Sequence, residues 1–480
     1  MEKYNQNKGI ITLIGLLLLM SNLSCKKFVQ IPPPETQVVT ETVFNNNGAA
    51  TSAQLGTYSY MVTNALSYQM ATDLGLYSDE LQNFSTNLTK LHLYTNSLQA
   101  TDNAGQWATL YKCIFYANSV LDGLKSYSGT NPAVKQQLTG EALFVRAFCN
   151  FNLASIYGDI PLVTSTDPNI NDQISRSPKV QVYQQVISDL QNAKNLLNVS
   201  YVDGTDTAVT SERVRPTKFA ALALLARTYL YLGDYSTTNK AIYYTEADSA
   251  SNAVIGNNVY ALTPLTNVFL KNSSEAIWQL QTPSGQTWDT YDGAWFILTG
   301  APGTGTTLCS TISTQLLSSF EVNDQRKINW IGSIQALGNT YYFPYKYKNN
   351  TLKNQEYTMV LRLGEQYLIR AEARNRTGNV AGALSDLNAI RTRAGLGNYT
   401  GATDQVSLET AILHERQVEL FSEWGHRWFD LARTGNAPVV MTMVSPQKGG
   451  TWYSNNYQMV FPIPQTDISN DNNLSQNTGY

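Results

Sequence analysis

Gly364-Glu365-Gln-Tyr-Leu-Ile-Arg370-Ala371-Glu-Ala373-Arg-Asn-Arg-Thr377-Gly378-Asn379-Val-Ala-Gly-Ala383-Leu-Ser-Asp-Leu387-Asn-Ala-Ile390 reads as two helices joined by a tight turn. Thr377-Gly378-Asn379 is the break, because glycine accepts the left-handed backbone that ends a helix and asparagine caps the start of the next. Counting outward from Gly378, small or apolar residues recur at helical spacing, with Ala371 in the first helix and Ala383, Leu387 and Ile390 in the second. The same pattern recurs elsewhere. Glu141-Ala-Leu-Phe-Val-Arg146-Ala147 matches Glu365-Gln-Tyr-Leu-Ile-Arg370-Ala371, and Ala220 to Leu232 is a third Ala- and Leu-rich helix, ending before Gly233-Asp234-Tyr235.

Those spacings are what a degenerate tetratricopeptide repeat needs, and such pairs stack side by side because none buries its apolar face alone. Helical periodicity begins near Asn47. Trp107, Leu110, Tyr111, Ile114, Ala117 and Leu121 lie on one helix face, and Phe144, Phe148 and Phe151 on another that stops at Gly158 before Pro161. The expected fold is mainly α, a tetratricopeptide-like helical scaffold. Between Thr263 and Asn354 the periodicity fades, Gly, Thr and Asn cluster, and four of the eight tryptophans fall (Trp278, Trp288, Trp295, Trp330). A long loop-rich, irregular region of this kind usually carries function. Within it, Gly300-Ala-Pro-Gly303-Thr-Gly305 resembles a phosphate loop only in composition and reads as a flexible loop.

A chain of 480 residues that is 42% hydrophobic has material for a large core, which excludes disorder along its length. With 33 basic and 36 acidic residues and no basic run, it has no electrostatic footprint for nucleic acid. Only 14% of residues are charged, so the surface is polar through neutral groups and suits neutral polar ligands, sugars above all. Lys3 and Lys8, the apolar run Ile10 to Met20, and Cys25 directly after Leu23-Ser24 read as an export signal over residues 1–24 with a lipid-accepting cysteine; a plain secretory signal is the alternative. The apolar run is too short to span a bilayer, which takes about 20 residues. Residues 25–45 then form a tether on the membrane, stiffened by Pro32-Pro33-Pro34. Cys113, Cys149 and Cys309 form no metal-binding spacing and read as buried thiols. His414-Glu415 opens like a zinc-protease motif, but Val418 stands where the second histidine belongs. No metal or cofactor is expected.

Several motifs taken in order resemble the SusD/RagB family of nutrient-uptake outer-membrane lipoproteins. They are the Ser24-Cys25-Lys-Lys-Phe28 start with Ile31-Pro-Pro-Pro34, Trp107 through Tyr111, Ile114, Ala117 and Asn118, and Glu141 to Ala147 running on to Tyr157-Gly-Asp-Ile-Pro161-Leu-Val163. Gly364 to Ala373, Glu415-Arg416 through Glu419, Glu423 and His426-Arg-Trp-Phe-Asp430 to Arg433, Phe461-Pro-Ile-Pro464 and the Gln476 to Tyr480 ending complete the set. The resemblance implies an N-terminal helical domain over 46–260 and a C-terminal domain over 261–480 that contains the ligand region 263–354. It also implies a lipid-anchored protein at the cell surface, without catalysis or cofactor. Such a protein captures oligosaccharide, or in some members peptide, and passes it to a SusC-like TonB-dependent channel of the outer membrane.

Sugar recognition needs flat aromatic faces together with planar polar groups. Trp288, Tyr291, Trp295, Tyr341 and Tyr342 are the candidate platforms, joined by Asp79, Asn83 and Asn87 from the loop after the first helices; core packing is the alternative for any one of them. Asp289 and Asp292 would be the acid and base of a helical glycoside hydrolase, a competing reading. The charged and aromatic stretch Glu415 to Arg433 reads as a buried network that locks helix packing.

Overall fold

The computed structural model describes residues 40–102, 104–206 and 208–480, so the export signal, Cys25 and the triple proline lie outside the described residues. Asn46 opens the Asn47–Thr63 helix by accepting a hydrogen bond from the Ala49 amide. The chain turns at Ala65 and enters the buried Leu66–Tyr77 helix. Trp107–Ser126 and Pro132–Tyr157 follow, the second starting on an Asn131 cap with proline in its first turn and stopping at Gly158, as its sequence predicts. From there the helices form a row in which each packs on the one before: Lys179–Leu196, Lys218–Tyr235 and Lys240–Ile255. The next in the row is Leu363–Arg376, followed by Val380–Arg393 and Gln405–Leu420. The row is thus continuous in space although the chain leaves it between Ile255 and Leu363.

The two matching stretches do the same work. Glu141 pairs with Arg215 and Glu365 with Arg227, while Arg146 reaches Asp189 and Arg370 reaches Asp386, each on the helix that follows in the row. At the turn, Gly378 has φ +84° and Asn379 accepts from the Gly382 amide. Ala371, Ala383 and Leu387 then close on Leu408 and Ile412. One boundary differs from its sequence expectation, since the third helix runs through Gly233 to Tyr235. Gly233 is there for close approach: a Cβ would lie 2.5 Å from the Tyr244 ring of the next helix.

The irregular region carries short elements of its own. It leaves the row along strand Ala276–Leu280 and returns along Thr358–Arg362, an antiparallel pair buried throughout, which ties its two ends together. Between them lie the short helices Tyr291–Phe296, Thr314–Ser319 and Gln325–Trp330 and a hairpin, Ile331–Ala336 with Asn339–Pro344. The hairpin turns on Leu337-Gly338 with positive φ at both residues, the two-residue turn whose twist matches paired strands. Strand Ser310–Ile312 pairs with Leu81–Asn83, so the loop after the first helices is fastened to this region. Residues Phe44–Tyr480 make one compact unit. Among the described residues no helix is long and apolar enough to cross a membrane, and Cys113, Cys149 and Cys309 are buried free thiols.

The Glu415 to Arg433 stretch is buried and paired, partly within itself and partly with distant elements. Glu415 and Glu419 meet Arg326, and Glu419 also meets Arg362 and Arg393. Arg416 pairs with Asp430, and Arg433 bridges Asp430, Glu372 and Asp234. Burial pushes the Glu419 carboxyl up, but Arg393, Arg362 and Arg326 outweigh it and hold it well below the usual carboxylate range. A carboxyl depressed in this way stabilises the fold above its unfolded pKa of about 4.3 and ceases to do so as pH falls through its folded value. Glu419→Ala leaves three guanidinium groups short of a partner, so it should cost about 3 to 5 kcal/mol at pH 7 by denaturant melts, with the deficit shrinking toward pH 2. An unchanged melting curve at pH 7 would contradict the network's role.

Candidate ligand-binding site

Thr290 caps the Tyr291–Phe296 helix by accepting from the Gly293 amide at 2.9 Å, and the four-residue spacing puts Tyr291 and Trp295 on one face. Trp288, just outside the cap, completes a triangle. Ring centroids lie 4.7 Å apart for Tyr291 and Trp295, 5.3 Å for Trp288 and Tyr291, and 6.4 Å for Trp288 and Trp295. Tyr68 packs beneath, 5.1 Å from Trp295 and 4.8 Å from Phe296. The two tryptophans are partly exposed, whereas Tyr291 keeps only 9% of its surface. The triangle is therefore anchored by its tyrosine and open at its indoles.

Asp289 fixes this geometry. Its carboxylate accepts backbone amides from Lys353, Asn354, Gln355 and Glu356 at 2.7, 2.7, 3.0 and 3.2 Å, and the Asn349 side-chain amide at 3.3 Å. Its carbonyl accepts the Thr282 hydroxyl. Segment 349–356 also presses on the helix, because a Cβ on Gly293 would fall 2.3 Å from the Asn349 carbonyl oxygen. Asp292 faces the other way, buried and bonded by the Ser67 hydroxyl at 3.1 Å, and burial raises its carboxyl to about 7. The two carboxyl groups thus have separate structural settings.

Tyr341 belongs to a second patch. It stands 5.6 Å from Phe84 and borders the cluster of Ile297, Leu298 and Phe343. The patches touch through Leu308, whose amide donates to the Trp295 carbonyl at 3.2 Å, and through Phe84, whose amide donates to Cys309. Tyr342 points to the opposite face of the hairpin and is 40% exposed. Asn83 bonds Ser85 through both ends of its amide, and Asn87 caps the Leu88–Tyr94 helix. Asp79 is drawn away altogether. It is 5% exposed and accepts from Arg427 Nη2 and Nε at 2.7 and 2.8 Å; burial raises its carboxyl, but Arg427 outweighs burial and leaves it low. Asp79 is therefore held as an ion-pair partner of Arg427. Phe84 and Tyr68 escaped sequence reasoning. Phe84 stands between two candidate asparagines and could have been included; nothing local marks Tyr68.

Two family models cover most of this chain: one described as "Starch-binding associating with outer membrane" matches residues 32–230, and one described as "SusD family" matches residues 329–480. The chain belongs to the SusD/RagB family. SusD-like protein P25 of Formosa agariphila is 23% identical over 95% of this chain and 96% of its own length. The starch-binding protein SusD of Bacteroides thetaiotaomicron is 37% identical over a shorter stretch, 25% of this chain and 21% of that protein. Among solved structures, a SusD superfamily protein from Bacteroides vulgatus superposes with a TM-score of 0.76 at 19% identity, covering 91% of this chain and 99% of the other. A SusD homolog from Bacteroides thetaiotaomicron gives 0.75 at 21%, covering 93% and 100%. At such identities the structures establish the shared SusD fold and no more.

Asp289→Asn keeps the side chain's shape but sets an NH2 group against backbone donors. It should destabilise the protein by about 2 kcal/mol or more. It should also change the near-ultraviolet circular dichroism of the tryptophans, because Trp288 loses its fixed neighbour. A spectrum and melting temperature equal to wild type would rule out the clamp.

Proposed function

We propose that the protein is a lipid-anchored glycan-binding lid at the outer surface of the outer membrane, which captures oligosaccharides and delivers them to a SusC-like TonB-dependent channel. The observation that carries this reading is the open indole pair Trp288 and Trp295 on a backbone clamped by Asp289, with Tyr341 and Phe84 continuing the aromatic surface. Such rings meet the C–H faces of a sugar, and partly exposed rings already fixed in place lose little freedom on binding. The family descriptions of starch binding and outer-membrane association support the same ligand class and location. Binding without turnover is favoured by Asp289, whose oxygens are occupied by backbone amides and leave no free base opposite Asp292.

Stacking contributes about 1 kcal/mol per ring beyond area burial, so the lid alone should bind in the micromolar to millimolar range. The channel would then complete the site, because its contacts act on an already captured ligand at high effective concentration. Calorimetry with neutral oligosaccharides on wild type, Trp288→Ala, Trp295→Ala and Tyr341→Ala tests the platform, each variant first checked for folding. Loss of heat in at least one folded variant is the expected result. Wild-type binding by all three would move the site elsewhere, heat from peptides alone would replace the ligand class, and cleavage of the sugar would replace the function.

The anchor has its own test. Cys25→Ala should release the protein from the outer-membrane fraction and from surface labelling. Retention of that variant would remove the lipoprotein reading while leaving the platform untouched.

A further inference from the structure

A cleft of about 430 Å3 opens on a part of the molecule that the platform does not use. Its walls come from the Asn47–Thr63 helix, from residues 202–204 and 210–215, and from residues 280–284 at the end of strand Ala276–Leu280; Trp288, Tyr291, Trp295 and Tyr341 take no part in it. The apolar lining is Leu55, Val202, Val214, Leu280 and Pro283. Ser59, Gln281 and Ser284 add polar groups that form no side-chain hydrogen bond among the described residues.

The charges decide what such a cleft accepts. Arg215 lines it but already has its own ion pairs: Nε donates to Glu141 at 2.9 Å, Nη2 lies 2.7 Å from Glu141 and beside Asp206, and Nη1 donates to the Asp203 carbonyl. Tyr58 and Gln137 add their own hydrogen bonds to Glu141. Two further lining groups, Asp203 and Glu212, are carboxylates with no salt bridge among the described residues; Asp203 accepts the Thr205 amide and hydroxyl, which together with Arg215 hold its carboxyl low, and Glu212 meets the Tyr357 hydroxyl. Burial, and then the neighbouring Glu212 carboxylate, raise the Tyr357 hydroxyl to about 12. The cleft thus combines an apolar lining with two carboxylates in addition to Glu141 and Asp206, the pair that neutralises Arg215, so its net charge is negative. Neutral sugars gain nothing from that surplus, anions are repelled, and a cation is attracted.

We propose that this cleft is a second ligand site, for a protonated primary amine carried on a compact apolar or ring frame. The volume lies at the small end of ligand pockets and suits a unit no larger than about a disaccharide or dipeptide. An amino sugar and a lysine-containing or N-terminal peptide carry the same ammonium group, so both are sources of one chemistry. The site acts independently of the platform.

Calorimetry on the folded protein separates the possibilities. The ligands are de-N-acetylated chitobiose, its N-acetylated form and lysyl-alanine, titrated into wild type, Glu212→Gln, Asp203→Asn and Trp288→Ala. At least one amine should bind, with affinity falling tenfold or more in Glu212→Gln and on raising salt from about 50 to about 500 mM, and unchanged in Trp288→Ala. Heat from the disaccharide, the dipeptide or both identifies the source, and the N-acetylated form should give no heat that depends on Glu212. The proposal is overturned if no amine binds, if both carboxylate variants bind as wild type does, or if Trp288→Ala abolishes the heat, which would put the amine on the platform. Should Glu212→Gln fail to fold, Asp203→Asn with a verified melting curve carries the same test.

Discussion

The Arg362 guanidinium sits where the inserted region rejoins the helical row, and its ion pairs set the geometry of both. It ends strand Thr358–Arg362 and reaches Glu419 at 2.6 Å and Glu423 at 2.8 Å, with Glu275 3.7 Å away at the start of the paired strand. Arg326 from the insert, Arg393 from the row and Lys346 converge on the same carboxylates. Gly364 leaves the space they occupy, since a Cβ there would lie 2.6 Å from an Arg362 nitrogen and 3.1 Å from a Glu419 oxygen. Removing so many charges from water is costly, and it is offset only when every partner is in position at once. The cluster therefore registers strand, helix and insert together, which apolar packing alone would leave freer to slide.

The same use of charge recurs in the insert at smaller scale. Residues 349–356 have neither a helix nor a strand to satisfy their amides, and the partly buried ones among them find side-chain acceptors. Asp289 accepts four of them, from Lys353 to Glu356, and Glu356 in turn accepts the amides of Lys348 and Asn349. Two carboxylates thus replace a hydrogen-bonded ladder. The by-product is a rigid mount for Trp288, the residue next to Asp289 in the chain.

The helical row was legible in the sequence because its signals are local. The Ala371, Ala383, Leu387 spacing, the glycine of the turn and the Gly158 stop all act within one or two turns of helix. The buried status of Glu415 and Glu419 was also legible, from carboxylates set among tryptophans; their partners were not, because Arg326 and Arg362 lie 50 or more residues away and no periodicity connects them. At the site, Trp288, Tyr291 and Trp295 were brought together by their spacing on a single short helix and its cap. Asp79 looked like a loop carboxylate free for hydroxyl groups, and its capture by Arg427 is a contact across 348 positions that only the fold creates. Phe84 reached Tyr341 in the same way, through the pairing of Leu81–Asn83 with Ser310–Ile312.

The ion pairs within the helical row and the aromatic surface of the insert are built from different residues. The ion pairs Glu141 with Arg215, Glu365 with Arg227, and Arg433 with Glu372 join helices of the row or brace them from outside the insert, so they do not depend on what the insert presents. The insert is pinned at its ends by the strand pair and in its middle by Asp289, leaving partly exposed side chains such as the indoles without a structural duty on their open faces. A surface built in this way accepts a change of ring or hydroxyl at low cost to the fold. It also carries little binding energy of its own, because half-open rings exclude water from only one side of a sugar. Under the proposed function, that physical limit is what a second surface closing over the ligand would offset, with rigidity of the mount counting for more than the number of contacts.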